Sequence, residues 1–587
     1  MYYIGIDFGH GETTVSRAPG YNGAPVSQIA IRTANNNEGK KIVSAVCKKN
    51  GTWSLVYGPQ DYRRDDIREG FKGRISKMTD RDKESMREFA KLIFNTILEN
   101  DTDLQYESVD NKNFELGIAC PSDWVREDPN AQQEYLDFFR NECGLPVDHC
   151  IKESDAAFFT KFNKYDKNDK VFVIDLGSST IDFTTYAGAK CITSCCWGAN
   201  LGAHLIEDAL MPYILQSGMN TKNIKTLKDF KTARGYFGDV ESAISLFVRG
   251  EKENYYSSQQ DEYSVCLKYD DLTPGWTGQK WDVCLGYSVS KEDFERIVSN
   301  YMNSIREVLN NAKAKLGQNG IVPNRVMLSG GASRMPFIKE YAKSIFNVTV
   351  DVDQQPECVV SNGIALYAQA FDKAFDALLE NMQHIDFDSI YKRADTVATV
   401  EAIKKLIPNV VSDIKHTNGC TGNQMRNMFL SFIRGLDANN KTYRDLVQDR
   451  LNETLTAKAA EAIANAYKNT FNMNVSTTDI KISVQAQILS FAPQTLQVGG
   501  AWYNIFTSMI DDASGRFSFT WDIPRDSDER ARIANGVESR LKSHISDPDF
   551  ITYGNIDPIV QHIIKQVVYY TVTIFREKQL FETTFKQ

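Results

Sequence analysis

The sequence predicts an α/β domain over residues 1–372, followed by a mainly helical domain over 373–587. Two observations predict the first. Short apolar strands run into Asp-Gly-hydroxyl turns, and amphipathic helical stretches lie between those strands. A third observation predicts the second domain: beyond Ala370 apolar residues recur every three to four positions instead of alternating. A chain of 587 residues also exceeds what one hydrophobic core usually organises, so at least two domains are expected.

Composition narrows the function classes. Hydrophobic residues make up 42% and charged residues 24%, the balance of an ordinary soluble globular protein. A net charge of -9, with a pI near 5.5, argues against a nucleic-acid coat, which needs a basic face. Met1 leads at once into the strand-like Tyr2-Tyr3-Ile4-Gly5-Ile6 and then Asp7, so no secretory signal is read and a cytoplasmic location is expected. The 11 cysteines form no repeated Cys-x-x-Cys pair. Cys191, Cys195 and Cys196 cluster without four ligands at zinc spacing, so buried free thiols are expected there rather than a metal.

The elements follow in chain order. The strand from Ile4 enters Asp7-Phe8-Gly9-His10-Gly11-Glu12-Thr13-Thr14. Around a triphosphate this order has a physical use. Glycine lets backbone N–H groups approach phosphate oxygens, and an aspartate offers Mg²⁺ a hard carboxylate, through water. Glycine turns between strands are common, so one such turn reads equally as fold punctuation. The device recurs where Val171-Phe172-Val173-Ile174 enters Asp175-Leu176-Gly177-Ser178-Ser179-Thr180-Ile181-Asp182 and leaves through Phe183-Thr184-Thr185-Tyr186. Two such hairpins facing each other would clasp one nucleotide. Arg325-Val326-Met327-Leu328 then leads to Ser329-Gly330-Gly331-Ala332-Ser333-Arg334-Met335-Pro336 and an amphipathic helix through Ile338 and Tyr341. Helices are expected over Lys83 to Leu98, Glu134 to Glu142 and Glu292 to Leu316.

Together these residues resemble the ATPase superfamily of actin, sugar kinases and the heat shock protein 70 chaperones, and look most like the last. Asp7-Phe8-Gly9 is similar to the family's first phosphate motif, the Asp175 to Asp182 turn to its second, and Ser329-Gly330-Gly331 with Arg334 and Pro336 to its adenosine motif. Glu153-Ser154-Asp155-Ala156-Ala157 and Glu357 to Ala365 resemble its two connecting segments, and Cys120-Pro121 stands where the family has Val-Pro-Ala. The resemblance implies a two-lobed actin-like (ribonuclease H-like) ATPase domain binding ATP or ADP with Mg²⁺. It implies Asp7 and Asp175 as metal-shell carboxylates, and Lys72, Glu153, Asp175 and Asp182 as the catalytic set. It implies Asp7, Gly9, Gly11, Thr13, Gly177, Ser178, Ser179, Thr180, Gly202, Lys252, Gly330, Gly331 and Arg334 as nucleotide contacts.

The sequence departs from that family in places. The first turn is longer, and its Asp-x-Gly-x-Gly pattern resembles bacterial actin-like filament proteins. His10 then either lies by the phosphates or is incidental to the loop. Ser178-Ser179 replace glycines, and Ala332 replaces a serine. In Arg249-Gly250-Glu251-Lys252-Glu253 only Lys252 matches, and Glu253 stands where an adenine-stacking arginine is common.

The last third has no counterpart of the family's peptide-binding β-sandwich. Phe371, Phe375, Leu378, Leu379 and Met382 recur at helical spacing, as do Ile403, Leu406, Ile407, Val410 and Ile414, then Met425, Met428, Phe429, Phe432 and Leu436. Leu446 to Tyr467 is alanine-rich and favours helix. Ile480 to Val484 and Phe517 to Trp521 alternate, which leaves room for a small β element. Residues 482–510 carry no charge and hold Phe491, Trp502, Tyr503 and Phe506. They read as a buried segment or a peripheral membrane or partner patch, and not as a transmembrane helix. The last helix, with Ile559, Val560, Ile563, Ile564, Val567 and Val568, reads as core or as a dimer surface. Three functions are in view: a slowly hydrolysing chaperone-like ATPase whose nucleotide state switches the helical module and engages a protein client, a filament-forming ATPase, and a small-molecule kinase.

Overall fold

The structure is a computed structural model and describes residues 1–20, 25–31, 39–57, 67–161, 164–166, 168–188, 190–217, 240–258, 261–272, 281–416, 443–471, 475–480, 482–486, 526–544 and 555–577. The chain forms two compact units, Met1–Asp372 and Lys373–Gln587. The boundary falls inside one helix, Val359–Gln383.

The first unit contains one sheet plan twice. In the first copy β1 (Tyr2–Phe8) pairs antiparallel with β2 (Glu12–Pro19) and parallel with β8 (Phe114–Cys120), which pairs parallel with β9 (Val147–Lys152). Short strands β3 (Ser27–Gln28) and β4 (Lys41–Val43) extend from β2. In the second copy β10 (Lys170–Leu176) pairs antiparallel with β11 (Ile181–Ala187) and parallel with β16 (Arg325–Ser329), which pairs parallel with β17 (Thr349–Val352). Short strands β12 (Lys190–Cys191) and β13 (Trp197–Ala199) flank β11. Register is shared as well: Asp7 lies opposite Thr14, and Asp175 lies opposite Asp182, each one residue before the strand ends. β5 (Ala45–Lys49), β6 (Thr52–Leu55) and β7 (Ile67–Glu69) form a separate small sheet, and β14 (Glu262–Leu272) and β15 (Trp281–Ser290) a long hairpin.

Strands such as β1 and β10 are buried along nearly their whole length, as parallel-sheet strands covered on both faces must be. The coverage comes from helices whose apolar residues repeat at three and four. α1 (Asp80–Asn100) opens with a capping box between Thr79 and Asp82 and buries Met86, Phe89, Ile93 and Ile97 in the first lobe's core. α2 (Ser122–Glu127) follows β8, and α3 (Ala131–Asp137) continues into a wider turn over Phe138–Glu142 that buries both Phe138 and Phe139. α4 (Glu153–Phe159) follows β9. In the second lobe come α5 (His204–Ser217), α6 (Val240–Ser258) and α7 (Lys291–Gln318), which buries Phe294, Val298, Tyr301, Ile305 and Leu309. α8 (Pro336–Phe346) starts on a proline, whose missing N–H costs nothing in a first turn. α9 (Val359–Gln383) completes the unit and crosses α4 so closely that a Cβ on Gly363 would sit 1.8 Å from the Ala156 carbonyl oxygen.

Burial of the thiol cluster differs from expectation. Cys195 is buried, but Cys191 and Cys196 lie at the sheet edge beside β12 and are only partly covered, their sulfurs 3.5 Å apart.

In the second unit α10 (Phe387–His416) packs against α11 (Tyr443–Phe471), α12 (Ser527–His544) and α13 (Asp557–Glu577). Tyr391, Ala398 and Ile407 of α10, Leu451, Leu455 and Ile463 of α11, Val537 of α12, and Val560, Ile563 and Val567 of α13 are buried, so the last helix presents a core face. Of the alternating run Ile480 to Val484, the described residues are not in a strand. Its backbone bonds to side chains instead: the Val484 amide donates to Thr456 Oγ1 (3.0 Å), the Ala486 amide to Asn452 Oδ1 (3.1 Å), and the Gln485 amide to Gln566 Oε1 (3.0 Å). The repeat from Met425 to Leu436, the run from Phe517 to Trp521, and Phe491, Trp502, Tyr503 and Phe506 lie outside the described residues. Among the described residues no helix is long and apolar enough to cross a membrane.

Two glycine substitutions test this packing. Gly363→Ala forces α4 and α9 apart and should destabilise the protein by roughly 2–4 kcal/mol. Gly317→Ala, near the end of α7 with nothing within 4 Å of the added carbon, should stabilise it by roughly 0.5–1 kcal/mol. Denaturant midpoints of the three proteins check both signs.

Candidate functional site

Two turns meet where the lobes' strands end. In the first, Ser44 Oγ donates to the Gly9 carbonyl (2.6 Å), and the Gly11 carbonyl accepts from the Ser44 amide (3.0 Å) and from Arg249 (3.2 Å). In the second, the Gly177 amide donates to the Thr180 carbonyl (3.0 Å). The carbonyls of Gly177 and Ser178 accept from the Ala203 and His204 amides (3.1 and 2.9 Å). Gly202 makes that contact possible, because a Cβ there would sit 2.1 Å from the Ser178 carbonyl oxygen. With its carbonyls held on that side, the second turn has amides at Ser178 and Ser179 that no backbone acceptor among the described residues takes. The two turns approach each other: a Cβ on Gly11 would lie 2.9 Å from Ser178 Cβ.

The charges around them are acidic with one central lysine. Lys72, just beyond β7, donates to Glu153 Oε1 at 2.6 Å, and Glu153 is the first residue of α4. Burial pushes the Asp7 carboxyl up to about 8, with Lys72 pulling it down and Glu153 and Asp175 pushing it further up. Burial and then Glu153 raise Asp175 to about 7, against the Ser329 hydroxyl and Lys72. Asp182, buried, is raised well above the carboxylate range by desolvation and by the nearby Asp123; it accepts from Thr180 Oγ1 (2.9 Å) with one oxygen and faces the Asp123 carboxyl with the other. Gly330 lies against Asp175, a Cβ there falling 2.7 Å from Asp175 Oδ1, and Gly331 faces Glu12.

Not every residue read from the sequence lies at the turns in a form free to meet a nucleotide. Thr13 is buried with its hydroxyl 3.0 Å from Ser44 Oγ, so it braces the first turn from behind. Lys252 is buried and paired with Glu207, which ties α6 to α5. A third turn, Gly330 with Gly331–Arg334, follows β16 and ends on Arg334, but Glu357 engages that guanidinium through two bonds (2.7 and 2.9 Å). Several charged residues near the turns were not read from the sequence. Arg249 reaches across to the first turn, and Lys41 bridges Glu12 and Glu253 at 2.6 Å each. Glu253 is thus committed to an ion pair, which accounts for an acid where an arginine was expected. Asp123 converges on Asp182 over Gly198; its position two residues after Cys120-Pro121 was the available signal.

Comparisons agree with this geometry. A protein-family model described as Hsp70 protein matches residues 141–417, which hold Glu153, the second turn, the third turn and α9. The chaperone protein dnaK of Guillardia theta is 28% identical over 230 residues, covering 38% of this chain and 34% of its own length. That of Thalassiosira pseudonana is 24% identical over 326 residues, 48% of this chain and 51% of its own length. The chaperone protein DnaK of Deinococcus radiodurans is 24% identical over 244 residues, 41% of this chain and 36% of its own length. The chain thus spans between 34% and 51% of the length of these relatives. With the duplicated sheets, these matches support a two-lobed, actin-like ATPase fold for the first unit, similar to the nucleotide-binding domain of the heat shock protein 70 family.

The crowded carboxylates make a stability prediction. Asp7 and Asp175 have folded-state pKa values above their unfolded ones, so the folded chain holds protons that the unfolded chain has released. Their contribution is fully present below about pH 4 and is lost as pH rises through 7 and 8. The melting temperature without metal or nucleotide should therefore be lower near pH 8.5 than near pH 6, and Asp175→Asn should reduce that drop; thermal melts at both pH values check it.

Proposed function

We propose that the chain is a chaperone-like ATPase: it binds Mg-ATP between the two facing turns, hydrolyses it slowly, and passes the change of nucleotide state to the helical unit. The observation that carries this reading is the pair of turns, each ending a strand on an aspartate, set around the Lys72–Glu153 pair. Amides of Ser178 and Ser179 and the backbone of Gly9 to Gly11 would hold phosphate oxygens. The donor set fits Mg²⁺, a hard cation bound by oxygen: Asp7 and Asp175 would hold it, largely through water, and it would neutralise phosphate charge during transfer. Lys72 would place its ammonium on the outer phosphate, and Glu153 fixes that lysine. Asp182, bonded to Thr180 through one oxygen and set against Asp123 through the other, would act on the attacking water once a bound cation favours its ionised form. Gly330, Gly331 and Arg334 would border the nucleoside, whereas Thr13 and Lys252 would support the site from behind.

The name of the relatives, chaperone, supports a protein client as partner. The Asp7-x-Gly9-x-Gly11 turn supports a filament-forming ATPase as the second reading, and sedimentation with ATP separates the two.

Calorimetry with Mg-ATP should show binding at micromolar nucleotide, and a well-folded sample that gives no heat at high micromolar ATP rules the reading out. Lys72→Ala should lower turnover by about 10²–10³ while ATP still binds, the scale of losing a charge aimed at the transition state. Hydrogen exchange of the full chain with ATP and then ADP should differ over α10 (Phe387–His416). Identical exchange there would remove the switch and leave the ATPase standing.

A further inference from the structure

The first turn contains a side chain that the hairpin and the ion pairs do not account for. His10 stands between Gly9 and Gly11, and its ring rests on Gly70: a Cβ on Gly70 would sit 3.2 Å from His10 Cε1. Gly70 takes φ +65°, a conformation that side chains avoid, so the backbone there and the space above it both suit glycine. From Gly70 the chain continues through Phe71 to Lys72, which places the ring between the first turn and the segment that carries the lysine.

His10 Nδ1 is enclosed and has no hydrogen-bond partner. The groups that act on the ring are Arg249, Lys72 and His204, all basic in kind; burial first, and then these neighbours, lower its pKa to about 3 and hold the imidazole neutral. A neutral imidazole offers one N–H donor and one acceptor nitrogen, and buried polar atoms are generally paired. Lys72 and Arg249 carry only donors, and they are already turned to Glu153 and to the Gly11 carbonyl. His204 directs its Nδ1 at the Ser178 carbonyl (2.7 Å), so its proton lies on that side. Lys72 and Arg249 offer the His10 proton no acceptor, and surroundings of that sign favour an anion.

We infer that His10 is a phosphate-contacting residue: its ring N–H donates to the terminal phosphate of a nucleoside triphosphate beside Lys72 and sets a preference for triphosphate over diphosphate. This rests on the nucleotide reading above and adds to it a determinant that belongs to the longer first turn of this chain. The turn's extra residue then has a use, and the glycines on either side keep the turn tight: a Cβ on Gly9 would sit 2.2 Å from the Glu12 carbonyl oxygen, and one on Gly11 2.9 Å from Ser178 Cβ.

The test is calorimetry of the full chain with Mg-ATP and with Mg-ADP, in wild type, His10→Ala and His10→Gln. In wild type ATP should bind more tightly than ADP. His10→Ala should weaken ATP by roughly tenfold, the scale of one hydrogen bond to a charged group, with ADP affinity nearly unchanged. His10→Gln keeps an N–H donor and should recover most of the loss. Equal ATP affinity in wild type and His10→Ala, or equal weakening of ATP and ADP, overturns the role of His10 while the ATP site stands. Wild type that binds neither nucleotide overturns both. Circular dichroism confirms that each variant folds. If His10→Ala does not fold, nitrogen-15 histidine spectra of wild type decide: of the seven histidines, the signal lost in His10→Gln should move with ATP and stay with ADP, and no ATP-specific shift refutes the contact.

Discussion

The contact between Gly363 and Ala156 governs the first unit. α4 and α9 cross there with no room for a side chain, and Thr14 and Ser16 of β2 bond to Ser361 on the same helix (2.9 and 2.8 Å). Glu153 is the first residue of α4, so the depth of that crossing sets where its carboxylate meets Lys72. The first turn hangs from β1 and β2, and the second from β10 and β11. Their approach at Gly11 and Ser178 therefore depends on how the two helices cross beneath them. A close-packed interior has few intermediate arrangements, so such a crossing suits a hinge with discrete states better than a soft joint.

Placed on that frame, Asp7, Glu153, Asp175 and Asp182 are brought together with one lysine among them. Desolvation and mutual repulsion raise the carboxyls of Asp7 and Asp175, a cost that a purely structural core would not carry. On the proposed reading, a cation and a polyanion arriving together would relieve both sides: the acids would gain a counter-charge and the basic groups around the turns an anion. Arg249 and the Lys41 bridge between Glu12 and Glu253 join opposite lobes around the turns, so the same charges that prepare the site also hold its walls.

The second unit solves its backbone hydrogen bonding differently. Residues 482–486 pair with no strand among the described residues, and α11 and α13 supply Thr456, Asn452 and Gln566 as partners for their amides. A buried chain must pair its amides somewhere, and polar side chains on a helix do this as well as a strand does. α10 sits at the centre of the packing and is the first helix lying wholly in the unit, with α9 leading into it.

The sequence by itself determined the strands that enter the three turns and the helices with a clear apolar repeat, because each of these is written in a local pattern. β1 and β10 were legible from their apolar runs into Asp7 and Asp175. α1 and α7 were legible from spacings that include Phe89, Ile93 and Phe294, Val298, and the third turn was legible from Gly330 and Pro336. Tertiary structure alone decided which charges meet. Arg249 and Gly11 are 238 positions apart, and Lys41 and Glu253 are 212 apart, so no local spacing announces either pair. The same holds for residues that the motifs placed at the nucleotide: Thr13 and Lys252 match by position, yet packing turned one toward Ser44 and the other toward Glu207. Alternation near Val484 likewise left room for a small β element, but among the described residues helix side chains pair with that backbone. Periodicity reports which face of an element is apolar; what that face and its polar neighbours will touch is fixed only when distant segments pack.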